Sequence, residues 1–167
     1  MKFFTPELLK QFNSPDEDIV MLAEDKWERG LKTYEEYLAS AAPLLPKMFD
    51  MMLQSYQLHD ARVLGMGKVN DWWTNPAFVI ILAPENSHSQ LLLFYSLEGD
   101  PVIKSSPTPP PSKTALEWLY DEVELPDISP TVRHSILFSD DLEIELNFTD
   151  FRLQVVNLPF ELSRWYL

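Results

Sequence analysis

The chain has 167 residues and no cysteine. Thiol catalysis, disulfide frameworks and thiolate zinc sites are therefore excluded, because each needs a cysteine sulfur. With four glycines and no P-loop, GxGxxG or GxSxG pattern, the sequence also lacks the glycine-rich turns that hold phosphates or a nucleophilic serine. A chain without cysteine is typical of a reducing compartment, so we expect a cytosolic protein.

Clusters of lysine and arginine are also absent, and 26 acidic residues against 13 basic ones give a net charge of −13. A nucleic-acid or anionic-membrane surface needs such a cluster, so we expect neither partner. The longest apolar run, Ala77 to Ala83, is far shorter than the ~20 residues that span a bilayer. An acidic surface favours solubility first and a basic protein partner second.

The N-terminal third is predicted to be helical. Thr5-Pro6-Glu7 predicts a short helix to about Phe12, and Ser14-Pro15-Asp16-Glu17 predicts a capping box for a second helix. Apolar residues then recur at every third or fourth position from Ile19 to Leu38, as in an amphipathic helix. A third helix, about Pro46 to Tyr56, is apolar nearly all round, so we expect it to be buried.

The remainder reads mainly as strands, predicted over 61–69, 78–83, 90–97, 133–139, 142–148 and 151–155. Thr149-Asp150 is predicted to turn the last two into a hairpin. A proline-rich connector, 104–112, precedes a helix predicted from Lys113 to about Glu122, since Ser112 can cap it.

These elements predict a single α+β domain, 1–167. Its helical part, 1–58, is expected to pack on an antiparallel sheet in 59–167. That sheet should have five to seven strands and one inserted helix.

Two histidines and two acids are the candidates for catalysis. His59 adjoins Asp60 where helix gives way to strand, and a carboxylate can orient a histidine as a general base or a metal ligand. The alternative is that His59 caps the helix end and Asp60 accepts backbone N–H groups in a turn. His134 lies on an apolar strand face and Glu122 at an acidic helix end, so either residue could complete a hydrolase site.

The plainer interpretation makes His134 a hydrogen-bonded core residue and Glu122 a solvated acid. The sequence contains no local ligand pair of the HExxH kind, so we expect no metal and no cofactor.

Trp72 and Trp73 are adjacent in the loop after the first strand. Two neighbouring side chains cannot both point inward from a strand, so we expect one at the surface, where it can anchor a partner. Equally, both can fold over Pro76 and close one end of the sheet.

Four short motifs resemble an uncharacterised bacterial family, domain of unknown function 4085. They are the opening Met1–Leu8, the step Leu58-His59-Asp60, the segment Trp118–Val123, and the strand His134–Ser139 with the Leu142-Glu143-Ile144 that follows it. The resemblance covers nearly the whole chain. It implies a bacterial cytosolic protein and supplies no activity or site residue.

The function we expect from the sequence is a non-enzymatic protein-binding or immunity-like module. Small acidic α+β proteins with a histidine–aspartate step also resemble some immunity proteins of bacterial toxin systems. The alternative is a hydrolase, with or without a metal, that uses His59 and Asp60 with His134 or Glu122.

Overall fold

The computed structural model describes residues 1–69, 76–85, 87–105, 115–126 and 130–157. Three helices come first: α1 (Pro6–Phe12), α2 (Glu17–Ala41) and α3 (Lys47–Ser55). Seven strands follow: β1 (Ala61–Val69), β2 (Ala77–Ala83), β3 (Ser89–Leu97), β4 (Val102–Lys104), β5 (Glu117–Glu124), β6 (Val132–Phe138) and β7 (Leu142–Asn157). The expected α+β class, with N-terminal helices and an antiparallel sheet, is confirmed.

The sheet closes on itself. Its strand order is β3-β2-β1-β5-β6-β7-β4, and β3 also pairs with β7. Closure is possible because β7 changes partners along its length: 142–148 lies beside β6, and 148–157 lies beside β3. The short strand β4 pairs with 143–145 of β7. Within the described residues, no helix combines the length and apolarity that crossing a membrane requires.

The predicted turn at Thr149-Asp150 is wrong, because β7 runs through it. The ladder with β3 is irregular there: Ser96 pairs with Asp150, whereas the next residue, Leu97, pairs with Phe148. The extra residue in β7 is a bulge, which changes the side-chain alternation. Two exposed polar residues between apolar runs have the same appearance in sequence whether they form a turn or a bulge.

The inserted helix is also wrong where the structure describes it. Glu117–Glu124 is a strand paired with β6, with a register shift between Trp118 and Tyr120. This bulge moves the inward positions out of strict alternation, so the apolar spacing imitates that of a helix. Lys113 and most of the proline-rich connector lie outside the described residues.

The N-terminal helices follow the sequence signals closely. Thr5 caps α1 by accepting a hydrogen bond from the Leu8 amide at 3.2 Å. Helix α2 begins later than the capping box implies, since Asp16 is its cap. The reason is that the Ser14 hydroxyl accepts from the Asp16 amide and forms a turn before the helix.

Helix α3 covers the interior of the sheet with one face, and the expectation that it is buried all round is wrong. Phe49 is fully buried, and its ring lies 5.0 Å from those of Phe148 and Phe151. Met48 and Met51, on the other side of the helix, are exposed.

The strands β1 and β5 separate soon after they meet, since they share two register pairs at the start of β1. Beyond that point, hydroxyl groups of α2 complete the bonding of the β5 edge. The Val123 amide donates to the Tyr34 hydroxyl at 2.9 Å, and the Leu125 amide donates to the Tyr37 hydroxyl at 2.7 Å. Buried amides need such partners, so these two bonds fix α2 against the sheet.

Replacing Tyr34 with phenylalanine tests this attachment. Because the buried Val123 amide loses its acceptor, we expect Tyr34→Phe to lower the free energy of unfolding by about 1–2 kcal/mol, measured by urea denaturation. The control is Tyr56→Phe, since the Tyr56 hydroxyl bonds to no described residue. Equal stability of the two variants would contradict the argument.

Candidate functional site

A chain of polar side chains crosses the interior of the closed sheet. The Tyr95 hydroxyl lies 3.1 Å from His134 Nδ1, and His134 Nε2 lies 3.0 Å from Asp121 Oδ2. The other oxygen of Asp121 accepts from the indole N–H of Trp118 at 3.1 Å. Tyr95, His134 and Trp118 are fully buried.

The bulge in β5 assembles this network. Residues three apart on a regular strand face opposite sides, but the irregularity between Trp118 and Tyr120 places Trp118 and Asp121 on the same face. His134 is reached diagonally across the ladder, because it pairs with Val123 on the neighbouring strand.

The distances fit one set of hydrogen bonds in the network. An ionised carboxylate only accepts, so His134 donates a hydrogen bond from its Nε2–H to Asp121. Nδ1 then accepts from the Tyr95 hydroxyl. Burial and the nearby charge of Asp121 raise the pKa of Tyr95 well above its usual value, so the phenol keeps its proton. The set is a satisfied core network whose histidine does not meet solvent.

Glu122 faces the opposite way, onto the segment that precedes α1. Its carboxylate accepts from the amides of Lys2, Phe3 and Phe4 at 2.6, 2.7 and 2.6 Å. The side chain is buried, and charge-assisted bonds of this kind are about twice as strong as neutral ones. Glu122 therefore fixes the N-terminal segment to β5.

Two neighbouring acids also bind cations. Glu124 pairs with Lys2 and with Arg133. Glu143 lies 3.2 Å from the amino group of Met1 and 3.0 Å from Lys104 Nζ. Burial raises the pKa of Glu143, but the bonds from Lys104 and the amino group outweigh it, and the pKa is lowered overall.

His59 and Asp60 stand apart from these groups. His59 Nε2 lies 3.5 Å from Asp60 Oδ2, and Nδ1 donates to the Leu119 carbonyl at 2.6 Å. The His59 ring lies 5.1 Å from the ring of Tyr120, on the outer face of β5, whereas His134 bonds on the inner face. The structure therefore does not bring His59 and His134 to one site.

The catalytic candidates from the sequence therefore lie in different parts of the structure and do not form one site. Within the described ranges, no group of three or more histidines and acids is placed to hold a metal ion. Trp72 and Trp73 lie outside the described residues, so their role as binding residues stays a prediction.

Three members of the interior network were not among the sequence candidates. Tyr95 is the only polar-tipped ring in the apolar run Leu91–Tyr95, and buried tyrosines usually find a hydrogen-bond partner. That signal could have singled it out. Nothing local pairs Trp118 with Asp121, because their contact depends on the bulge.

A cavity of about 460 Å³ opens between β1, β2, β4 and β7. Most of its lining is apolar: Met66, Gly67, Phe78, Pro101, Ile103, Leu142 and Ile144. Lys68 and Asp100 complete the lining and form an ion pair with each other. Volume and composition are typical of a small-molecule site.

The outer face of α2 exposes two large apolar side chains. Met21 is 58% exposed and Leu22 is 59% exposed. Asp18 and Asp25 lie three or four residues away from them and are also exposed, so all four share one face of the helix. This α2 surface (Asp18, Met21, Leu22, Asp25) is apolar at its centre and acidic at both ends.

Comparisons with known proteins add no relative. No protein-family model matches the chain, and no curated protein matches it at a significant level.

Removing Asp121 tests the interior network. Asp121→Ala leaves the N–H groups of Trp118 and His134 buried without an acceptor, so we expect a loss of about 3 kcal/mol in the free energy of unfolding. The control is Asp150→Ala, since Asp150 is exposed on β7. The Asp121 substitution is repeated in a His134→Phe background. If Asp121→Ala lowers the free energy of unfolding there by as much as in the native chain, the two residues are not coupled.

The ion pairs of Glu143 predict an acid dependence of stability. A lowered pKa means that the stabilisation is complete above the ordinary value of 4.5 and is lost as the pH falls through the folded-state pKa. We expect Glu143→Gln to lower the free energy of unfolding by about 1–2 kcal/mol at pH ~7 and by less at pH ~3, measured in urea titrations. The control is Glu117→Gln, at an exposed residue. An equal loss of unfolding free energy at both pH values, or the same pH dependence of that loss in the control, would contradict this assignment.

Proposed function

We propose that the protein is a non-enzymatic protein-binding module that takes a basic partner on the α2 surface. The observation that carries the proposal is the exposed pair Met21 and Leu22 between Asp18 and Asp25. Large apolar side chains grouped at the surface often mark an interaction site. Acids around such a group select a partner with complementary charge.

The charge of this half of α2 supports the choice of partner. From Asp16 to Arg29 the chain has six acidic residues and two basic ones, Lys26 and Arg29. Lys26 Nζ donates a hydrogen bond to the Gln11 side chain of α1. A helix with an apolar stripe flanked by lysine or arginine would match the α2 surface in both shape and charge.

The hydrolase alternative lacks comparable support. Glu122 is occupied by three backbone amides, His134 is fully buried, and His59 bonds to the Leu119 carbonyl. A binding role needs none of these groups to be free.

The cellular setting is part of the same proposal. We place the module in the bacterial cytosol, where an immunity-like protein would meet a basic toxin. The absence of cysteine and the resemblance of four short motifs to an uncharacterised bacterial family support this placement.

A synthetic helical peptide with leucine on one face and lysine on either side tests the α2 surface. We expect the affinity of the peptide to fall as salt is added, because salt screens the attraction between exposed charges. Met21→Ser with Leu22→Ser should weaken binding about tenfold, or ~1.4 kcal/mol, by fluorescence anisotropy of the labelled peptide.

The matched control is Leu44→Ser, which removes another exposed apolar side chain, 73% exposed, outside the α2 surface. If the control weakens peptide binding as much as the double substitution, the partner does not bind on α2. Binding that is indifferent to salt would contradict the role of the acids.

A further inference from the structure

We propose that the cavity between β1, β2, β4 and β7 binds a medium-chain carboxylate, with its acyl chain inside and its carboxylate on Lys68. The site is separate from the α2 surface, and nothing in the inference depends on the proposed partner.

The walls of the cavity suit an acyl chain. Phe78 and Ile144 are buried and form its apolar floor, whereas Ile103 is 60% exposed and lies at its rim. Burying apolar ligand surface against such walls stabilises a complex. A chain of about ten carbons fills roughly two thirds of the space, at ~30 Å³ for a group the size of water.

The register of the sheet places Lys68 for the head group. Lys68 pairs with Phe78 across the β1–β2 ladder, and directly paired residues share one face of a sheet. Its side chain therefore leaves the same face as the apolar floor. Among the described residues that line the cavity, Lys68 is the only cation.

The partner that Lys68 now has is easily replaced. The Asp100 side chain is 84% exposed, against 44% for Lys68, and Asp100 lies in the turn between β3 and β4. An exposed ion pair of this kind contributes little stability. A ligand carboxylate whose chain is buried in the cavity can replace Asp100 as the ion-pair partner of Lys68.

Calorimetric titration of the full chain with decanoate, below the concentration at which it forms micelles, tests the site. Decanol and decylammonium are the matched probes, with the same chain and no charge or the opposite charge. We expect saturable one-to-one binding of decanoate at least tenfold tighter than of decanol. Lys68→Gln should abolish that difference, and Asp100→Asn should strengthen decanoate binding by freeing the lysine.

Two substitutions in β4 locate the ligand. Ile103→Trp fills the rim and should weaken both decanoate and decanol. Val102→Trp is the control, because Val102 is its neighbour on the strand and is exposed but does not line the cavity. Both positions are exposed, so folding should persist, which circular dichroism checks.

Three results would overturn the inference. The first is no saturable decanoate binding. The second is decanoate binding that Ile103→Trp leaves unchanged. The third is tighter binding of decylammonium than of decanoate, which would assign the head group to Asp100.

Discussion

The unpaired edge of β5 determines how the helices are arranged on the sheet. Once β1 has diverged, the amides of Val123 and Leu125 need acceptors, and the hydroxyls of Tyr34 and Tyr37 supply them. Because both tyrosines belong to α2, the same bonds set the rotation of the helix. The face opposite these tyrosines, with Met21 and Leu22, is then left at the surface.

The two faces of the same strand have different surroundings, because adjacent residues of a strand point to opposite sides. Inward, Asp121 joins the indole and imidazole N–H groups. Outward, Glu122 gathers three backbone amides of the N-terminal segment. Adjacent acids thus end in opposite layers, and each accepts hydrogen bonds from donors in its own layer. A single β5 strand thereby connects the interior of the sheet to the helical layer.

The sequence predicts features that depend on neighbouring residues in the chain, but not features that depend on which strands pair and in what register. The cap at Thr5 and the strands predicted over 61–69 and 78–83 depend on adjacent residues, and the structure reproduces them within a residue or two. Two of the errors in the sheet, at Trp118 and at Thr149-Asp150, fall on bulges, where the partner strand decides the side-chain parity. The contact of His134 with Asp121 likewise exists only once β5 and β6 are in register.

Contacts within the fold also limit what the net charge of −13 implies about binding partners. Glu122, Glu124 and Glu143 are acids that already bind donors within the chain, so they present little charge to another molecule. The acids at the start of α2 are exposed to solvent, so their charge is available to a partner that comes into contact with them. Long-range attraction is screened within about 10 Å at ordinary salt, so local exposure, and not the total, decides where a basic partner would bind.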